Sequence, residues 1–170
     1  MDLNNLPPVG DGRITVVTGG RNAGKTSYCL QRIEACPANR QTVAGLLSPG
    51  RFDHGQKTGF FALNLRSLET RLAASAVAGE LSGVQIGPWT FDSRVFEWGN
   101  RCLSQADGAD VLMIDELGPL EFTRQIGWMA SFDLLRRRNY RLALVVIRPE
   151  CLDAFSAMGF TYDTKEITPS

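Results

Sequence analysis

The sequence predicts an α/β fold, with a mostly parallel central sheet flanked by helices and an added β-hairpin. Three observations carry this reading. Short β-branched runs alternate with stretches of helical periodicity. A glycine-rich turn joins the first run to the first helix, and the apolar run over residues 111–114 ends in paired carboxylates.

Arg13–Thr18 reads as a buried strand that enters the tight turn Gly19-Gly20. Residues 25–35 follow as a helix with Tyr28, Leu30 and Ile33 at helical spacing, and Pro37 stops it. Residues 42–47 make a second strand. Residues 49–66 form a hairpin whose return strand is 59–65. Residues 72–77 read as a strand, although their alanines fit a helix almost as well. After Gly87-Pro88, Trp89–Phe91 is extended, and Asp92 or Ser93 caps a helix through Val95, Phe96, Trp98 and Leu103. Residues 111–114 are a strand, 128–138 a helix and Leu142–Ile147 another strand. Pro149 opens a helix over 150–158, and residues 162–167 form a last edge strand. Residues 1–12 are expected to be a flexible lead-in to a single domain over 13–170.

A chain of 170 residues can bury a sizeable core. Its 18 basic and 18 acidic residues cancel, which argues against nucleic acid or an anionic membrane as partner while leaving local patches open. The start Met-Asp-Leu-Asn-Asn-Leu-Pro-Pro has neither basic residues nor a long apolar segment, so no secretory signal is expected. The apolar runs fall short of a membrane span. The cytoplasm is the expected location. Cys29, Cys36, Cys102 and Cys151 lack CxxC spacing and read as reduced, packed thiols. His54, in a polar turn, reads as a solvated loop residue.

Gly19-Gly20-Arg21-Asn22-Ala23-Gly24-Lys25-Thr26 fits G-x4-G-K-[ST], the phosphate-loop or Walker A pattern. Glycines let the backbone curl so that successive N–H groups face phosphate oxygens, and the helix that follows adds its positive end. The nucleotide-binding set is Gly19, Gly20, Arg21, Asn22, Ala23, Gly24, Lys25, Thr26 and Ser27. Lys25 reaches the β- and γ-phosphates of ATP or GTP, and the Thr26 hydroxyl binds Mg2+. Asn22 tolerates an unusual backbone angle. Asp115 and Glu116 end an apolar strand in the Walker B manner, with Asp115 supporting the metal and Glu116 polarising the attacking water. A base beside the metal carboxylate suits hydrolysis. A P-loop kinase for a small molecule, and a nucleotide-dependent accessory or switch protein with little turnover, stay open as alternatives, as do a protein partner and a homo-oligomer.

Phosphoryl transfer needs cations beyond the loop lysine, and Arg51, Arg66 and Arg148 lie near predicted strand ends. Each competes with the reading of a surface arginine. Glu121 either supports the site or starts a helix. Arg136-Arg137-Arg138 reads as a solvated helix end. Trp89, Trp98, Trp128, Phe91 and Phe96 read as core, with one of them or the Thr164-Lys165 segment left as a contact for the base.

With both motifs in hand, the chain resembles the small P-loop nucleoside-triphosphatase family first described from thermophiles and also found in humans. The likeness rests on Gly19 to Thr26, the Gly45-containing strand, and Lys57-Thr58-Gly59-Phe60, similar to R-x-G-F. It continues in Gln85 to Glu97, similar to R-V-G-x-Y-x-V-D…F-E, and Asp115-Glu116-Leu117-Gly118-Pro119-Leu120-Glu121, similar to D-E-I-G-K-M-E. The tail Asp163-Thr164-Lys165-Glu166 is similar to V-T-x-x-N-R, with Ile167-Thr168 in place of Asn-Arg. The resemblance implies a RecA-like core and slow, magnesium-dependent hydrolysis of ATP, GTP and other triphosphates, with Asp115 in the metal role and Glu116 in the water-activating role. The chain departs from the family where Pro119 replaces a lysine, where Ser48-Pro49-Gly50-Arg51 replaces an acidic stretch, and where Lys57 replaces an arginine. These mark a divergent member.

Overall fold

The structure is a computed structural model that describes residues 6–36 and 41–168. Pro37 and the first five residues of the expected lead-in lie outside the described residues. Five strands are mutually parallel, in the spatial order β10 (Asp163–Glu166), β1 (Arg13–Thr18), β9 (Leu142–Ile147), β8 (Val111–Leu117) and β2 (Val43–Leu47). β9 is buried along its whole length, which is why its sequence is a continuous apolar run with no alternation.

The sheet continues past β2 with antiparallel strands: β4 (Gln56–Asn64), β5 (Thr70–Ser75), β7 (Trp89–Phe91) and β6 (Val84–Ile86), with β3 (Gly50–Asp53) folded onto β4. The addition is thus larger than a hairpin. β5 settles the ambiguity at residues 72–77 in favour of a strand, because pairing with β4 and β7 outweighs the helical preference of its alanines.

Helix α1 (Lys25–Glu34) covers one face of the sheet, where Cys29 and Ile33 meet Val17, Met113, Leu144 and Val146. Its buried stripe is Lys25, Cys29 and Ile33; Leu30 faces out instead of joining the core. The opposite face carries α2 (Ser93–Ser104), α3 (Pro119–Phe122), α4 (Ala130–Arg137) and α5 (Leu152–Ala157). Asp92 caps α2 by accepting the Arg94 N–H at 2.9 Å. Helix 128–138 is narrower than expected, and a 3-10 turn at Pro149–Cys151 precedes α5. Phe91, Phe96, Trp98 and Trp128 are buried in the core, with Phe91 stacked on Phe96 and Trp128 edge-on to it.

The described part of the lead-in is tied down. Arg141 donates to the carbonyls of Leu6 and Pro7 at 2.8 and 2.7 Å, and Arg138 to that of Gly12 at 3.0 Å. Two guanidiniums in need of acceptors hold residues 6–12 against the sheet. No helix among the described residues is long and apolar enough to cross a membrane.

Candidate functional site

β1 ends at Thr18 and the glycine-rich turn carries the chain into α1. Gly19 sits at φ 147, and a Cβ there would stand 2.2 Å from the Ile167 carbonyl, so only glycine lets the turn pass beneath the strand-β10 exit. Gly24 (φ 90) and Asn22 (φ 59) are left-handed, as the curl requires. No side chain caps α1, so its leading N–H groups stay available to an incoming acceptor. Lys25 is 8% exposed, and its Nζ donates to the Gly19 and Gly20 carbonyls at 2.9 and 2.7 Å. Arg21 and Ser27 are exposed and Ala23 is buried.

β8 runs on to Leu117, so Asp115 and Glu116 lie within the strand and not at its end; its register with β9 shifts between Ile114 and Leu117. Asp115 is 2% exposed. It accepts the Ser48 N–H at 3.1 Å, its own carbonyl accepts the Ser48 hydroxyl, and the Thr26 hydroxyl lies near enough to its carboxyl to favour the charged form. Burial pushes its pKa up to about 6 despite the Ser48 bond, the nearby Thr26 hydroxyl and the Lys57 charge, and the neighbouring Glu116 charge pushes the same way. Thr26 and Asp115 are therefore brought together, as expected. They form a hard-oxygen pair with a buried carboxylate short of compensating charge, which fits Mg2+ completed by phosphate and water oxygens. Glu116 takes a separate direction: its carboxylate accepts from Arg148 Nε, and both side chains are about a third exposed.

The remaining candidates separate. Arg51 is committed to Glu80 at 2.7 Å through both terminal nitrogens and also donates to Ser75 and Thr58. Arg66 donates to the Gln105 and Asp107 carbonyls, which precede β8. It lies at the far end of the parallel strands because β4 runs antiparallel to β2. Arg136 and Arg137 pair with Asp133 and Asp107, and Arg138 holds Gly12, so this run is not a free basic patch. Glu121 is buried and accepts the N–H groups of Gly118 and Trp128, both at 2.9 Å. Thr164 and Lys165 line an open cleft of about 310 Å³ with Arg13, Tyr28 and Arg32. His54 is fully out on the hairpin turn, and of the four free cysteines Cys29, Cys36 and Cys151 are buried. Ser48 was not anticipated. Its grip on Asp115 depends on β2 lying beside β8, a neighbour relation that no local pattern encodes.

A family profile described as NTPase matches residues 14–150. The chain is 33% identical over 107 residues to the nucleoside-triphosphatase THEP1 of Saccharolobus solfataricus, covering 62% of this chain and 59% of that one. It is 28% identical over 123 residues to the nucleoside-triphosphatase THEP1 of Methanopyrus kandleri, covering 72% and 64%. It thus spans less than two thirds of the length of either relative. Its fold is similar to the crystal structure of THEP1 from Aquifex aeolicus, with a TM-score of 0.67 at 18% identity over 92% of this chain and 90% of that one. It is also similar to a human cancer-related nucleoside triphosphatase, with a TM-score of 0.66 at 18% identity over 93% and 89%. The α/β P-loop architecture is shared with both structures, and the profile spans most of the chain: this protein belongs to the NTPase family.

Proposed function

We propose that this protein hydrolyses nucleoside triphosphates, ATP and GTP among them, to diphosphate and phosphate with Mg2+. The observation that carries the reading is the proximity of the Thr26 hydroxyl to the buried Asp115 carboxyl, which brings the phosphate loop after β1 to the acid pair of β8 across the one strand between them. The names of the two relatives, each a nucleoside-triphosphatase, support it. Gly19 to Ser27 cradle the phosphates with their N–H groups, and Lys25 exchanges the loop carbonyls for phosphate oxygens. Thr26 and Asp115 hold the metal, which when bound offsets charge on the β- and γ-phosphates. Glu116 orients the attacking water. The chain is further assigned to the cytoplasm, on its free and largely buried thiols.

The test is phosphate release from a panel of triphosphates with and without Mg2+, in the wild type and in Glu116→Gln. The variant should bind nucleotide normally and turn over at least about 100-fold more slowly. Turnover at the wild-type rate removes Glu116 from its role. Absence of phosphate release from every triphosphate refutes the reading, and phosphate recovered on an added small molecule replaces it with a kinase.

A further inference from the structure

β1, β9 and β8 stand side by side in parallel, and the outer two deliver the phosphate loop and the acid pair from their C-terminal parts. The middle strand delivers Arg148. Leu142, Leu144 and Val146 of β9 pack on the α1 side of the sheet with Val17 and Met113, and the same alternation brings residue 148 out on that side, between loop and acids. Arg148 is held there. Its side chain lies over Gly118, where a Cβ would stand 3.4 Å from Nε, and Nε donates to Glu116. Nη1 has only a loose ion pair, 4.0 Å from Glu150, and Nη2 makes no hydrogen bond among the described residues. Arg51 and Arg66, by contrast, have their terminal nitrogens engaged by protein acceptors. A guanidinium is a rigid fork of five donors. One edge is fixed on Glu116, and the other remains for an acceptor in the space that the loop and the acids share.

We propose that Arg148 is a catalytic cation supplied in cis. It keeps Nε on Glu116 and presents its terminal N–H groups to the γ-phosphoryl oxygens, so that the residue assigned to the water and the group under attack are held by one planar side chain. The inference rests on the hydrolysis reading. Charge that develops on the transferred group strengthens this contact in the transition state more than in the ground state, so the effect falls on kcat and not on nucleotide affinity.

The experiment compares the full chain with Arg148→Ala and Arg148→Lys in three measurements: kcat and KM with Mg2+ and ATP or GTP, equilibrium affinity for Mg2+-ADP with and without aluminium fluoride, and thermal melting. Arg148→Ala should keep KM and ADP affinity within a few-fold. Its kcat should fall by roughly 100-fold or more, and the added affinity that aluminium fluoride confers should be lost. Arg148→Lys should recover little, because a point charge cannot hold Glu116 and a phosphate together. Arg148→Ala combined with Glu116→Gln should be about as slow as the slower single variant, since the two act as a unit. A folded Arg148→Ala with wild-type kcat, or with an undiminished aluminium fluoride effect, overturns the inference. If the alanine variant does not fold, the lysine variant carries the same comparison. A wild type without turnover removes the hydrolysis reading and this inference together, whereas an active wild type with indifferent variants removes this inference alone.

Discussion

Glu121 has almost no contact with water, at 3% exposure, and both of its oxygens accept backbone N–H groups. Burial disfavours its charged form by more than those two bonds restore, and the Glu116 charge adds to the effect. The carboxyl is pushed from 4.5 up to about 7. A carboxyl raised in this way holds its proton more tightly in the folded chain than in the unfolded one. Its contribution to stability is therefore complete below pH 4.5 and is lost as pH rises through about 7. At about 1.4 kcal/mol per pH unit, the loss between pH 5 and 8 comes to roughly 2–3 kcal/mol. Glu121→Gln is neutral throughout and retains an oxygen for one of the two N–H groups, so it should lack this slope. Urea unfolding of both nucleotide-free proteins across that range measures the difference directly. The wild type should lose roughly 2–3 kcal/mol relative to the variant as pH rises. Parallel curves would mean that Glu121 titrates at an ordinary pH and would refute the argument from burial.

Lys25→Ala should weaken Mg2+-nucleotide binding by about 100-fold or more in calorimetry. It should lower the melting temperature only modestly, through lost packing of the buried stem and loss of the two Nζ bonds to loop carbonyls. Gly19→Ala puts a Cβ 2.2 Å from the Ile167 carbonyl at a positive φ. It should destabilise the protein by roughly 2 kcal/mol or more through displacement of the β10 exit, and a change under 0.5 kcal/mol in urea unfolding would contradict that contact. Ser48→Ala loses the hydroxyl bond to the Asp115 carbonyl but keeps the backbone bond to its carboxylate. Stability should drop by about 1 kcal/mol, and half-maximal turnover should need more Mg2+; an unchanged Mg2+ requirement would show that Ser48 does not position Asp115.

The phosphate loop was legible because its chemistry is local: the spacing of Gly19, Gly24, Lys25 and Thr26 sets the curl and the helix start with no help from the rest of the chain. Asp115 was legible for a related reason, as a carboxylate in an otherwise apolar run. Ser48 and the Glu116–Arg148 pair depend on strand order, with β2 and β9 on either side of β8, and strand order leaves no local trace. Arg66 shows the same limit from the other side. It ends a strand, but an antiparallel one, so it emerges at the end of the sheet away from the loop. Leu30 counts with Tyr28 and Ile33 in the helical spacing of α1, whereas the helix buries the aliphatic stem of Lys25 in line with Cys29 and Ile33. β6 and α3, at three and four residues, are too short to show a period.

Pro119 stands where the family resemblance expects a lysine, and the structure explains how the position tolerates it. It is exposed at the first turn of α3, where a fixed φ and a missing N–H carry no penalty. The N–H that matters belongs to Gly118, which donates to Glu121. Glu121 can serve Gly118 and Trp128 together only if the chain between them closes on itself. It does so through the Ile126 N–H on the Leu120 carbonyl and through Asn100, which donates to the Gly127 carbonyl and accepts the Ala130 N–H. The segment after the acid pair is thus a rigid bracket, with Gly118 as the floor under Arg148 and Trp128 packed on Phe96. Because position 119 contributes only its backbone carbonyl to that bracket, which accepts from Thr123 and Arg124, a lysine side chain can be lost there without disturbing Asp115 or Glu116. The cations that act on the pair come from other strands of the sheet instead, Lys57 from β4, one strand beyond β2, and Arg148 from the end of the adjacent β9. In this chain the charge around the acids is set by the order of strands in the sheet, and not by the residue that follows the acids in sequence.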